Sequence, residues 1–142
     1  LVNAFPGELR QVFSNLIVNA IDALEKSGDR LLIHVSASFD WTNPTQRGIR
    51  ITISDNGLGI PEDKRRHIFE PFYTTKGDKG TGIGLWVCLG IVQKYGGKIR
   101  LRSAVKAGSS GTAFSVFLPN ATGKLGIPQI VAQNTQVRKQ QS

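Results

Sequence analysis

Asn15 and Asn19 stand four residues apart in a run of helical periodicity, and Asp55 closes an alternating run ahead of Asn56-Gly57-Leu58-Gly59-Ile60-Pro61. Further on, Gly80-Thr81-Gly82-Ile83-Gly84-Leu85 leads into a second apolar run. Each residue type suggests a specific interaction. A carboxylate at the end of a strand accepts hydrogen bonds from an exocyclic amine such as that of adenine. Gly57 and Gly59, with Ile60 beside them, let backbone approach a flat ring. Gly80, Gly82 and Gly84, with Thr81 and Leu85, open a helix whose first N–H groups and dipole favour an anion, as in a phosphate cradle. Asparagine amides are oxygen donors to hard cations such as Mg²⁺, and in a helix interior they are otherwise mediocre residues. Each feature also has a plain alternative: a turn aspartate, a tight turn, a hinge, or an amide that caps a neighbouring loop. The combination describes a nucleotide site. It is neither a Walker loop, which needs Gly-Lys-Ser/Thr, nor a dinucleotide fingerprint following a strand.

Several elements must position these groups. From Glu8 to about Lys26, Leu9, Val12, Phe13, Leu16, Ile17, Ala20, Ile21 and Leu24 recur at helical spacing. Glu8, Gln11, Asn15, Asn19 and Asp22 form the polar stripe beside them. Strands are expected over Leu31 to Phe39 and Ile49 to Ser54, with a lid-like connection from Asn56 to Thr81 containing one short helix after Pro61. A helix from Thr81 to Tyr95 should stop at Gly96-Gly97, and Lys98 to Val105 and Thr112 to Leu118 should pair as a hairpin. This order predicts a two-layer α/β sandwich, a mixed sheet covered on one face by helices, over residues 1–121, with residues 122–142 a flexible tail.

Composition narrows the function classes. The 142 residues suit one domain, and the lone cysteine, Cys88, sits in an apolar run, so it reads as a small core hydrophobe with no disulfide framework. No stretch approaches the roughly 20 apolar residues of a membrane span, and no secretory signal is visible, so a reducing, cytoplasmic setting is expected. The absence of any methionine suggests a fragment of a longer chain. The formal charge of +8 invites a nucleic-acid reading. However, Lys98, Arg100 and Arg102 alternate with Ile99 and Leu101 like one wet strand face, and Lys124, Arg138 and Lys139 fall in the aperiodic tail. No nucleic-acid partner and no direct membrane contact are expected.

The motifs resemble a family. Glu8 to Ala23 is similar to the N box of the catalytic, ATP-binding domain of sensor histidine kinases, and Asp55 to Pro61 to the first glycine box. Ile68-Phe69-Glu70-Pro71-Phe72-Tyr73-Thr74-Thr75-Lys76 resembles the F box, and Gly80 to Leu85 the second glycine box. The resemblance implies a Bergerat-type fold shared with gyrase, Hsp90 and MutL ATPases, with ATP and Mg²⁺ as cofactors. Asp55 would bind the adenine amine, Asn19 and Asn15 the metal and phosphates, and Thr112 would support the adenine contact through water. Gly57, Gly59, Gly82 and Gly84 would shape the pocket and lid, and Lys76 is a phosphate contact or a solvated lysine. Phe69 and Phe72 are expected to pack the lid.

The resemblance further implies transfer of the γ-phosphate to a histidine on a separate dimerisation domain and then to a response-regulator aspartate. The parent would be a homodimer, often membrane-attached in this family. Where the gyrase-like relatives carry a glutamate one turn before the metal asparagine, this chain has Asn15, and an amide cannot act as a general base. Neither His34, in a strand, nor His67, in the lid, reads as the phospho-acceptor. The alternative is an ATPase of the same superfamily, or a degenerate kinase acting as a nucleotide-gated interaction module.

Overall fold

The computed structural model describes residues 2–74 and 82–121. Lys76, Gly80, Thr81 and the tail 122–142 therefore lie outside the described residues. Helix α1 runs from Pro6 to Lys26. It begins two residues before the expected Glu8 because proline is at home in a first turn, where its missing N–H has no partner to lose. Glu8 in the first turn and Lys26 in the last both favour the helix dipole. Val12, Leu16 and Ala20, four residues apart, are its buried line. The apolar stripe is narrower than its periodicity suggests, since Ile21 is half exposed.

Strands β1 (Leu31–Phe39), β2 (Arg47–Asp55), β3 (Lys98–Ala104) and β4 (Gly111–Pro119) form one sheet in the order β1-β2-β4-β3. The α/β fold class is as expected, but the mixed sheet is not: every pairing among the described residues is antiparallel. Strands β2 and β3, which α2 (Glu62–Arg65) and α3 (Gly84–Lys94) separate in sequence, do point the same way. They never pair, because β4 inserts between them. Cross-strand rows face the helices in register, Ile33–Ile53–Phe114–Leu101 and Val35–Ile51–Val116–Ile99. Helices α1 and α3 (Gly84–Lys94) lie against each other and cover β2 and β3, so Ile53, Phe114 and Val116 are at most 5% exposed while Ile33 and Val35 on β1 remain open. Cys88 of α3 is fully buried, and its thiol donates to the Val12 carbonyl. Each fully buried Val, Leu or Ile contributes about 1.5–3 kcal/mol.

The basic alternation on β3 falls on the opposite face, where the Arg50 and Arg100 guanidiniums lie 5.4 and 5.7 Å from the Trp41 ring centre. Among the described residues no helix is long and apolar enough to cross a membrane.

After β2 the chain makes the short helix α2 (Glu62–Arg65). Ile68 is buried, and Phe69 meets Phe114 edge-on at 6.3 Å, so this stem is fastened to the core. Phe72 corrects an expectation: it is 74% exposed and does not pack. Its backbone sits at φ 68° and its N–H bonds to the Gly82 carbonyl at 2.9 Å. That left-handed turn directs the side chain to solvent. The two backbones cross so closely that a Cβ on Gly82, at φ 70°, would strike the Phe72 main chain. His67 bonds Glu70 at 2.9 Å and tilts against Tyr73, while His34 is exposed on β1.

Candidate functional site

The helix-facing rows of the sheet are apolar until the last one, Leu31–Asp55–Thr112–Ser103, which is polar across three of its four strands. Asp55 gains its place as the final residue of β2 and is half-buried. Its Oδ1 accepts the Gly57 N–H at 2.9 Å, so the turn-aspartate alternative describes real geometry. An ionised carboxylate has about four acceptor positions. Among the described residues the Gly57 N–H bonds to it and the Thr112 N–H lowers its pKa in the same way, which leaves acceptor positions for a ligand donor. Thr112 beside it is 6% exposed.

The glycines of the first stretch are required by what surrounds them. A Cβ on Gly57 would come within 2.9 Å of Asp55 Oδ1 and 3.0 Å of Ala23 on α1. Gly59, at φ 76°, would drive a Cβ into the Ala104 carbonyl. Ile60 is half-buried and tied down at both ends of its peptide: its N–H donates to Ser103 Oγ at 2.7 Å, and its carbonyl accepts from Arg65 Nε at 2.8 Å.

On α1 the two asparagines are half-buried. Asn15 Nδ2 donates to the Gly84 carbonyl at 3.3 Å, where α3 begins, and the Asn15 amide also reaches the Cys88 thiol. Burial raises the Cys88 pKa, against the smaller pull of that hydrogen bond. With its amide protons directed to α3, Asn15 has Oδ1 as the group to offer elsewhere. The capping alternative is thus realised in Asn15 without removing an oxygen donor. One turn on is Asn19, and one turn further is Ala23, under Gly57. Asn19 therefore lies along α1 between Gly84 and Gly57. Gly84 itself is unconstrained, since a Cβ would meet Asn15 only at 3.8 Å, and Leu85 packs against the core. Gly82 is committed to the Phe72 crossing. The structure thus brings Asn15, Asn19, Asp55, Gly57, Gly59, Ile60, Gly82, Gly84 and Thr112 to one end of the domain.

Two contributors escape the sequence reading. Asn56 Oδ1 accepts N–H groups from Asp29 and Arg30 at 2.9 and 2.8 Å, clamping the start of β1 to the glycine stretch. Ser103 joins Ile60, Gly111 and Thr112. Its signal was available: after Ile99 and Leu101 the period of β3 calls for an apolar residue at 103.

Burial raises the Asp55 pKa, opposed by the Gly57 and Thr112 N–H groups. Because the folded value lies above the unfolded one, the folded state binds more protons in that window, and Asp55's contribution to stability falls as pH rises through it. A ligand donor prefers the ionised form. Affinity for an amine-bearing base is therefore expected to weaken on acidification while the ligand-free domain gains from this group, measurable by titration calorimetry and melting from pH 7 downward.

The family described as "Histidine kinase-, DNA gyrase B-, and HSP90-like ATPase" matches residues 5–122. Sporulation kinase C of Bacillus subtilis (strain 168) is 38% identical over 119 residues, 84% of this chain and 25% of that protein. Sensor histidine kinase ZraS of Escherichia coli (strain K12) is 40% identical over 124 residues, 87% of this chain and 24% of its own length. This chain thus spans about a quarter of these curated relatives. Among solved structures, the mycobacterial sensor histidine kinase MprB superposes with a TM-score of 0.66 at 28% identity, covering 83% of this chain and 74% of that one. Full-length ShkA in complex with AMPPNP gives 0.58 at 26% identity, over 82% of this chain and 23% of that one.

Proposed function

The chain belongs to the histidine kinase-, DNA gyrase B- and HSP90-like ATPase family, and from that membership we propose that it binds Mg-ATP and supplies the γ-phosphate to a histidine on a separate dimerisation domain, for relay to a response-regulator aspartate. The observation that carries the reading is the polar row Asp55–Thr112–Ser103 beside Gly57 and Gly59, with Asn19 on α1 between Gly57 and Gly84. Asp55 accepts the adenine amine, and Gly57 and Gly59 let the backbone pack closely around Asp55 and the end of β3, shaping the wall beside it. Among the described residues no side chain caps the first turn of α3, so its N–H groups are suited to phosphate oxygens. A solved relative, ShkA, carries an ATP analogue, which supports the ligand class.

The donor set fits Mg²⁺, which takes one or two protein oxygens and completes its shell with phosphates and water. Asn19 and Asn15 would hold it through their amide oxygens, and the ion, when bound, neutralises phosphate charge. The remaining work is positioning, which in phosphoryl transfer is most of the catalysis. Water activation has no base at position 15, because a side-chain amide is too weakly basic to take up a proton. That favours transfer to a protein side chain over hydrolysis.

Calorimetry with ATP and ADP, with and without Mg²⁺, tests the proposal. Wild type is expected to bind both, with Mg²⁺ strengthening ATP, and Asn19→Ala to abolish that strengthening while retaining metal-free binding. A folded wild-type chain that ignores both nucleotides at millimolar concentration would falsify the reading.

A further inference from the structure

Ser103 Oγ has three partners: the Ile60 N–H at 2.7 Å, the Gly111 carbonyl at 2.9 Å and Thr112 Oγ1 at 2.9 Å. A hydroxyl owns one proton and two lone pairs. The Ile60 N–H can only donate, so it takes one lone pair. The Gly111 carbonyl can only accept, so it takes the proton. What remains for Thr112 is the second lone pair, and Thr112 must donate its own proton to fill it. The arrangement is held from both sides. Ser103 and Thr112 are directly paired across β3 and β4, and Gly111 is pressed so closely on β2 that a Cβ there would strike the Asp55 carbonyl.

Thr112 is left with its lone pairs and no proton to offer. Its neighbour Asp55, when ionised, is an acceptor only. We infer that Ser103 is a specificity-determining positioning residue, which makes the wall of the base pocket acceptor-only so that the site takes a 6-aminopurine nucleotide and rejects a 6-oxopurine one. The inference rests on the adenine-nucleotide reading above and adds a residue and a discrimination to it. A 6-amino group brings protons to this wall. A 6-oxo group brings lone pairs against lone pairs, and such a mismatch of buried polar groups discriminates strongly. Without the Ser103 hydroxyl, Thr112 regains its proton and can turn it toward a 6-oxo oxygen, directly or through a bridging water.

The test is titration calorimetry of the full chain with ATP and inosine triphosphate. The readout is the ratio of the two dissociation constants. Ser103→Ala is expected to lower the preference for ATP by about tenfold, mainly by tightening inosine triphosphate. Ser103→Thr, which keeps the hydroxyl, should restore the wild-type ratio. In a Thr112→Val background, where there is no proton to redirect, Ser103→Ala should leave the ratio unchanged. If Ser103→Ala fails to fold by circular dichroism, Ser103→Cys, which keeps the volume but is a weak acceptor, is expected to relax the ratio in the same direction. Equal weakening of both nucleotides, or an unchanged ratio in the folded variant, marks Ser103 as merely structural and overturns the inference while the nucleotide reading stands. Absence of ATP binding to wild type overturns the nucleotide reading, and this inference with it.

Discussion

Asparagine at position 55 is expected to lower the affinity for ATP by about 10- to 100-fold while leaving the melting temperature at or above that of wild type. A hydrogen bond to a charged acceptor is worth roughly 1.5–3 kcal/mol, and asparagine replaces that acceptor with a neutral carbonyl and a competing N–H₂. The fold has no need of the charge. Burial raises the Asp55 pKa, so the ionised form is the less comfortable one in the ligand-free domain, and an amide oxygen still accepts the Gly57 N–H. Calorimetry and thermal melting on the same sample separate the two effects. Unchanged affinity would remove Asp55 from the base contact, and a collapsed melting temperature would make it a structural residue.

The largest loss of stability is expected from Gly59→Ala. At φ 76° any side chain is strained, by about 1–2 kcal/mol, and the new Cβ would run into the backbone carbonyl of Ala104. No rotamer relieves a collision with main chain, so overpacking adds a further 1–3 kcal/mol or so. The sum of about 2–5 kcal/mol corresponds to a fall in melting temperature of roughly 10 °C or more, with nucleotide binding lost in parallel. Gly84→Ala is the control. A Cβ there meets only Asn15, at ordinary contact distance, so its melting temperature should match wild type or exceed it slightly. Similar losses in both variants would mean that glycine serves these stretches through flexibility rather than through fit.

The helices and strands were legible because each repeats its signal. Val12, Leu16 and Ala20 mark a buried line on α1, and Lys98, Arg100 and Arg102 mark the wet face of β3. Asp55 was legible because strand periodicity ends on it. What was hidden depends on pairing between distant segments. The antiparallel sheet follows from β4 entering between β2 and β3, and no local pattern encodes which strands become neighbours. Phe72 was read from its type, since aromatics are usually core material, yet its backbone is committed to Gly82 and its ring faces out. Ser103 is an ordinary strand serine until Ile60 and Thr112 arrive from elsewhere in the chain.

The position of β4 also bears on how the protein is made. Of the four strands among the described residues, the last to leave the ribosome is a central one, and it carries Thr112 and Gly111. Until Pro119 has emerged, β1 and β2 can form their hairpin, but β2 keeps a bare edge, β3 is unpaired within this sheet and the polar row lacks Thr112. Such long-range closure is slow compared with helix and hairpin formation, and open edges invite association between nascent chains. Translation through β4 is therefore the step that assembles the polar row, and under the proposed function nucleotide binding would report that β4 has taken its central place.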